Sequence, residues 1–295
     1  MVTQLLRRLI APITLALALT GLVSTPSTAI TGNFVPDFEH EYVGLIVFYD
    51  ADGEFLWRCS GSLLTDTVFL TAGHCADLGA GAVSARVYFE QDAGANYDPA
   101  TGVDPVSGYP ETGGITASTL YSYGFADFAG FPNTHDVGLV ILDAPVQTVY
   151  PEINTYASLA AAGTLDTYGT GQDAPVTVSG YGLSFTNPAM TESYRSRLMA
   201  TTFILNLGSH NTAGFNVQIA TNPGGGRGGT CFGDSGGPVL LGDTDVIAAV
   251  NSYVLGVGKT CGGVAFAYRT DQAEVIAWIL EHAGDEADEI SIVTI

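Results

Sequence analysis

The sequence predicts an all-β protein, a sandwich or a barrel, and three observations lead there. After residue 30 the chain consists of short runs rich in β-branched and aromatic residues. Turn-forming Gly, Pro, Asn and Asp punctuate these runs, with 37 glycines and 13 prolines in 295 residues. Only 271–283 carries helical spacing, with Val275, Ile276, Ile279 and Leu280 on one side and acids opposite.

In chain order, the runs that read as strands are Tyr42–Tyr49, Thr67–Thr71, Ala85–Phe89, Val137–Leu142, Val176–Ser179, Leu198–Leu207, Val239–Leu241, Val246–Val250 and Val264–Tyr268. Asp50-Ala51-Asp52-Gly53 lacks the third acid of a calcium-binding loop and reads as a hairpin turn. Residues 92–130 are rich in Gly, Pro, Asp and Tyr, which predicts long surface loops. Between Tyr150 and Gly171 the strand pattern lapses into an Ala-rich linker. The tail 285–295 fits either a final strand or a frayed end.

The first 29 residues have the make-up of a secretory signal peptide. Arg7 and Arg8 precede an apolar run, Leu9 to Val23, and Ser27-Thr28-Ala29 supplies a small-residue cleavage site. Removing them leaves seven basic residues against thirty acidic ones, a net charge of −23. So acidic a surface has no basic patch to meet phosphates or an anionic membrane, which argues against nucleic-acid and membrane partners. Export to an oxidising compartment makes Cys59, Cys75, Cys231 and Cys261 candidates for two disulfides, in any of three connectivities. No C-x-x-C pair is present, so no zinc site is expected.

Three local clusters carry chemistry. Leu70-Thr71-Ala72-Gly73-His74-Cys75 brings a histidine to the end of a strand. Thr134-His135-Asp136-Val137-Gly138 sets an acid at the mouth of an apolar strand. Cys231-Phe232-Gly233-Asp234-Ser235-Gly236-Gly237-Pro238 holds a serine in a glycine-rich turn. Taken singly, each is an ordinary surface or turn feature. Together they supply the alcohol, imidazole and carboxylate that nucleophilic acyl transfer needs. The hydroxyl needs a base, the base needs a carboxylate to fix its tautomer, and the glycines free backbone N–H groups to meet a developing oxyanion.

These segments, in this order, resemble the three signatures of the chymotrypsin/trypsin family. Val178-Ser179-Gly180-Tyr181-Gly182 and Ala277-Trp278-Ile279 are similar to further family segments, and the resemblance runs over about residues 30–283. It implies two packed six-stranded antiparallel β-barrels, residues 30–150 and 151–295, with the C-terminal helix 271–283 on the second. It also implies a secreted, extracellular serine endopeptidase acting on polypeptides, without a cofactor or metal, and a monomer is expected. His74, Asp136 and Ser235 would be the triad, and Gly233 and Ser235 the oxyanion donors. The pairings would be Cys59–Cys75 and Cys231–Cys261. The amino group of Ile30, freed by signal cleavage, would pair with Asp234. Gly229 would lie at the floor of the primary pocket, with Ser252, Tyr253 and Val254 along its wall. A neutral floor and Val254 at the neck imply small or medium apolar P1 residues, while Arg227 would either attract acidic side chains or be a solvated loop residue. Glu90, Asp92 and Asp98 fall where some family members bind calcium, with only loose spacing, and His135 is expected to be structural. The rival reading is a catalytically silent secreted binding protein of the same fold. A second rival, an esterase with the same triad, lacks its G-x-S-x-G elbow, because Pro238 and a strand follow Ser235.

Overall fold

The strand Val43–Tyr49 is buried along its whole length, so its seven residues show no polar alternation. It pairs antiparallel with Phe55–Leu63 on one edge and Ser84–Tyr88 on the other. The computed structural model to which these strands belong describes residues 30–93, 113–187, 190–193, 195–222, 224–256, 261 and 263–295. The expected signal peptide and Asp98 lie outside the described residues. The turn after Val43–Tyr49 is the anticipated hairpin: the Gly53 N–H donates to Asp50 O at 3.1 Å, and Asp50 Oδ1 accepts from the N–H groups of Asp52 and Glu54 at 2.9 Å.

The first sheet continues from Phe55–Leu63 through Val68–Thr71 to Gly138–Ile141. It returns to Ser84–Tyr88 by Thr119–Ser122 and Ile115–Ala117, two halves of one strand interrupted at Ser118. This closes a six-stranded barrel except at that interruption. In the second barrel Pro175–Gly180, Leu198–Asn206, Asn216–Ala220, Gly263–Arg269, Val246–Gly256 and Pro238–Leu241 pair in sequence, and the last pairs back to the first. Leu198–Asn206 alternates buried and more exposed positions, as a strand with one wet face should.

Several expectations need correction. Residues 92–130 are not all loop, because the broken strand lies among them. The 150–171 linker contains the strand Ser158–Ala160 and the short helix Thr164–Tyr168. Ser158–Ala160 lies outside the six antiparallel strands of the second barrel and pairs parallel with Val246–Gly256 and with the tail strand Ile292–Val293. The helix spans Ala273–Ala283 rather than starting at 271. Asp271 is held outside it by two bonds from Arg269 and one from the Leu165 N–H, all at 2.8 Å.

The ends of the chain are exchanged between the barrels. Thr31–Gly32 pairs with Gly228–Gly229, and Val35–Pro36 with Leu198–Met199, so the N-terminal segment belongs to the second barrel. The helix Ala273–Ala283 instead packs on the first barrel, where His282 meets Tyr121 and Trp278 meets Tyr123 at ring separations of 4.7 and 5.2 Å. Beyond the helix, Glu286 accepts hydrogen bonds from the hydroxyls of Thr65 and Thr67 in the first barrel.

Candidate active site

His74 follows the last residue of Val68–Thr71 in a tight turn, where the Cys75 and Ala76 N–H groups both reach Ala72 O. The Cys59–Cys75 disulfide, with its α-carbons 6.3 Å apart, ties this turn to the neighbouring strand. Asp136, fully buried, approaches from the mouth of Gly138–Ile141. Its Oδ2 lies 2.9 Å and its Oδ1 3.1 Å from His74 Nδ1, and Oδ1 also accepts the His74 backbone N–H at 2.7 Å. Ser252 Oγ donates to Oδ2 from the second barrel. Burial alone would raise the Asp136 pKa, but the His74 charge and the bonds from His74 and Ser252 hold it below the usual carboxylate range. Burial works against the imidazolium too, yet the Asp136 charge and hydrogen bond carry the His74 pKa above its ordinary value. With Nδ1 occupied by the carboxylate, Nε2 is the nitrogen left to take a proton.

Ser235 lies in the turn before Pro238–Leu241. The Asp234 N–H reaches Cys231 O at 3.1 Å across Phe232 and Gly233, and Gly233 has a φ of +96°. A positive φ at the third residue is the type II arrangement, which glycine adopts without strain. Ser60, a residue the sequence did not single out, fastens this turn to the first barrel. Its N–H donates to Ser235 O at 2.8 Å, its hydroxyl donates to Gly233 O at 2.8 Å, and that hydroxyl accepts the Tyr181 N–H at 2.9 Å. From the other side the Gly236 N–H donates to Asn251 O at 2.7 Å, and the Asn251 N–H to Gly237 O at 2.9 Å.

A cleft of about 390 Å³ is lined by both His74 and Ser235, together with Phe125, Asp127, Phe128, Thr230, Cys231, Phe232, Asn251, Ser252, Tyr253 and Val254. Among the described residues Ser235 and His74 share no hydrogen bond, and such bonds often form only around a bound substrate. Gly229 is not part of this lining: it pairs with Thr31, whose hydroxyl donates to its carbonyl at 3.2 Å, and Thr230 takes the pocket position. Arg227 is also elsewhere, its guanidinium 4.4 Å from the centre of the Phe203 ring. Tyr253 stacks on Phe266 at 4.7 Å, with Phe128 edge-on at 5.5 Å, and Phe125 sits 5.8 Å from the His74 ring. The aromatic residues 125 and 128 come from the stretch read as plain loop, where no spacing marked them as cleft residues.

Asp234 is wholly buried, with Oδ1 accepting the Gly182 N–H and Oδ2 the Cys231 N–H, each at 2.8 Å. Burial pushes its pKa up to about 7 despite those two bonds and the Arg58 charge. At Gly182 a side chain would collide with this carboxylate, since a Cβ there would stand 2.5 Å from Asp234 Cγ. Ile30 is fully buried among the second barrel's apolar residues. Cys231 and Cys261 are bonded, with α-carbons 5.3 Å apart. Of the loosely spaced acids, Glu90 accepts the Tyr150 hydroxyl at 2.9 Å, and the Asp92 backbone forms an isolated antiparallel β-bridge with Ser196. The one His/Cys/Asp/Glu cluster of metal-binding geometry among the described residues is Cys59, His74 and Cys75, whose sulfurs are already joined to each other. His135, at φ +52°, packs edge-on to Tyr123 at 5.2 Å. Among the described residues no helix is long and apolar enough to cross a membrane.

The family model described as trypsin matches residues 43–279. Serine protease 7 of Drosophila melanogaster is 26% identical over 264 residues, an alignment spanning 85% of this chain and 63% of that protein, so the chain covers less than two thirds of that relative. Chymotrypsin-like elastase family member 3B of Homo sapiens is 26% identical over 215 residues, 71% of this chain and 73% of that protein. Among solved structures, HL collagenase superposes with a TM-score of 0.59 at 22% identity, covering 83% of this chain and 94% of that one. A Glu endopeptidase in complex with MPD superposes at 0.53 with 15% identity, covering 85% and 96%.

Proposed function

The chain belongs to the trypsin family, and we propose that it is a secreted serine endopeptidase with Ser235 as nucleophile, His74 as general base and Asp136 as the group that orients the imidazole. The observation that carries this reading is the buried Asp136 carboxylate bonded to His74 Nδ1 within the cleft that Ser235 also lines.

In this mechanism Ser235 Oγ attacks the scissile carbonyl carbon and His74 Nε2 takes its proton. The carbonyl π electrons move onto oxygen, and the N–H groups of Gly233 and Ser235 stabilise that oxyanion. Collapse expels the amine, which receives the proton from His74, and leaves an acyl-enzyme. Water then attacks the ester with His74 again as base, releasing the acid and restoring Ser235. The positive φ at Gly233 supports this geometry, since it turns the backbone of that loop in the type II sense.

Secretion accords with the basic-then-apolar leader and the two disulfides. Activation would follow signal cleavage before Ile30, whose new ammonium would pair with Asp234. The pairing of Thr31 with Gly229 supports that reading, because it brings the segment into the second barrel. Val254 on the cleft wall favours small or medium apolar P1 side chains, and the one acid of the cleft lining, Asp127, is exposed, which disfavours Lys or Arg. The test is labelling with a fluorophosphonate probe followed by peptide mass spectrometry. Modification of Ser235, lost in His74→Ala, is expected; an unlabelled, folded protein would favour the silent binding protein.

A further inference from the structure

In the four consecutive peptide units from Phe232 to Gly236 every carbonyl has a partner. Phe232 O accepts the Leu183 N–H at 2.7 Å and Asp234 O the Gly237 N–H at 2.9 Å. Gly233 O accepts the Ser60 hydroxyl and Ser235 O the Ser60 N–H, both at 2.8 Å. Of the N–H groups, that of Asp234 reaches Cys231 O and that of Gly236 reaches Asn251 O. Among the described residues, those of Gly233 and Ser235 donate to nothing. The two free donors therefore alternate with the two units that Ser60 fastens. A trans peptide unit points its C=O and N–H in opposite directions. Leu183 and Gly237 thus set which way the free donors face, and the neighbouring units, both tied to Ser60, set where they stand.

We infer that Ser60 is a positioning residue of the reaction: by holding Gly233 O and Ser235 O it fixes the spacing of the two oxyanion donors and their distance from His74. The inference rests on the peptidase reading above. Ser60 is wholly buried and is itself anchored, since its carbonyl accepts the Thr71 hydroxyl at 2.8 Å and its own hydroxyl accepts the Tyr181 N–H at 2.9 Å. Its neighbour Cys59 is bonded to Cys75, the residue after His74, so two adjacent residues of one strand hold the histidine turn and the serine turn. The Ser60 hydroxyl both donates and accepts. Without it, Gly233 O and the Tyr181 N–H lose their partner and the turn is free to shift. Oxyanion donors must lie about 3 Å from the developing charge, and a misplacement of about 1 Å can cost about a hundredfold in rate. The charge exists only in the transition state, so the loss belongs in kcat rather than KM. The Ser60 side chain bonds to Gly233 and Tyr181 rather than to the His74–Asp136 pair, so the histidine should titrate as before.

The experiment measures kcat, KM and the pH–kcat/KM profile of the exported, active-site-titrated protein on one fluorogenic peptide. It also measures inhibition by a peptidyl trifluoromethyl ketone, whose adduct with a serine hydroxyl bears the oxyanion. Ser60→Ala should lower kcat about 10–100-fold, somewhat less than the about 10²–10³-fold lost when a donor is removed outright. KM should stay within about twofold, inhibitor affinity should fall in step with kcat, and the acid limb should not move. Ser60→Gly, which removes the same hydroxyl and keeps the N–H, carries the same expectation should the alanine variant not fold. Tyr42→Phe is the control. It deletes another hydroxyl that bridges the barrels, bonded to Asp245 at 2.8 Å and outside the cleft lining, and kcat should be unchanged. An unchanged kcat in the folded Ser60 variant overturns the inference. So does a loss that Tyr42→Phe shares, that resides in KM, or that comes with a moved acid limb. In each of these cases labelling and cleavage by the unaltered protein leave the peptidase reading standing. Absence of both in the unaltered protein overturns the two together.

Discussion

Ser252 donates its hydroxyl to Oδ2 of Asp136, the oxygen that also faces His74 Nδ1, so one carboxylate is held by a group from each barrel. Ser252 is a positioning residue in this arrangement, acting on the imidazole through Asp136. Ser252→Ala should lower kcat roughly tenfold, in keeping with a charged hydrogen bond worth about 1.5–3 kcal/mol. It should also move the acid limb of the pH–rate profile upward, because the less stabilised carboxylate binds the imidazolium more tightly. An unchanged limb and an unchanged kcat would remove Ser252 from the catalytic geometry.

The His74 pKa is raised by Asp136, so the proposed general base is protonated over a wider range than a free histidine. Activity should therefore fall as pH drops through a midpoint above 6.5. Asp136→Asn should move that midpoint downward and cut kcat by roughly 10⁴, the scale seen when a triad carboxylate becomes an amide. A pH–kcat/KM profile on one peptide for both proteins decides it, and a limb at or below the ordinary histidine value in the unaltered protein would contradict the pairing.

Asp234 carries a carboxyl raised to about 7 while the chain continues upstream of Ile30. A group raised in the folded state contributes full stability below its unfolded pKa and loses it as pH rises through the folded one. A form bearing one added residue before Ile30 should thus lose about 4 kcal/mol between pH 4 and well above 7, on the scale of about 1.4 kcal/mol per pKa unit. A form beginning at Ile30 should lack that loss, because its ammonium stabilises the anion, and it alone should hydrolyse peptides efficiently. Matching melting curves and matching activity in the two forms, with the added residue verified, would end the activation proposal.

Asp37 behaves in the opposite sense. Although burial would raise its pKa, the His40 side chain, the Ser179 hydroxyl and the His40 N–H hold it down at about 2. Its contribution is present above the unfolded carboxylate value and lost as pH falls from about 4 towards 2, amounting to about 2 kcal/mol. Asp37→Asn should be destabilised at pH 6 and converge with the unaltered protein near pH 2. Parallel denaturation curves at both pH values would show that the Asp37 cluster contributes nothing differential.

Where the sequence was legible, local physics was enough. Runs such as Val43–Tyr49 and Val264–Tyr268 announce strands because burial on the barrel wall demands branched and aromatic residues there. Phe55–Leu63 was illegible because Arg58, Ser60, Gly61 and Ser62 interrupt its apolar pattern, Arg58 and Ser60 reaching across to Tyr181 O and Gly233 O. Ser158–Ala160 is three residues long and takes its partners from far along the chain, so no period could reveal it. The histidine, aspartate and serine segments stood out through their motifs. Ser60 and Asn251 had no such flag, since a hydroxyl bridging two barrels and an amide without a partner are properties of tertiary placement.

The N-terminal segment also fixes an order of events. Thr31 is among the first described residues to be synthesised, and its hydroxyl bond to Gly229 spans 198 positions of sequence. It must wait until the first three of the second barrel's six strands, through Asn216–Ala220, have been made. Contacts so distant along the chain form late and slowly, because loop closure precedes any gain from them. The turn that holds Ser235 lies just beyond Gly229, so it emerges with the partner of Thr31 while Pro238–Leu241, Val246–Gly256 and Gly263–Arg269 are still to be made. A nascent chain of this design therefore holds His74, Asp136 and Ser235 before the strands that brace them in the second barrel exist.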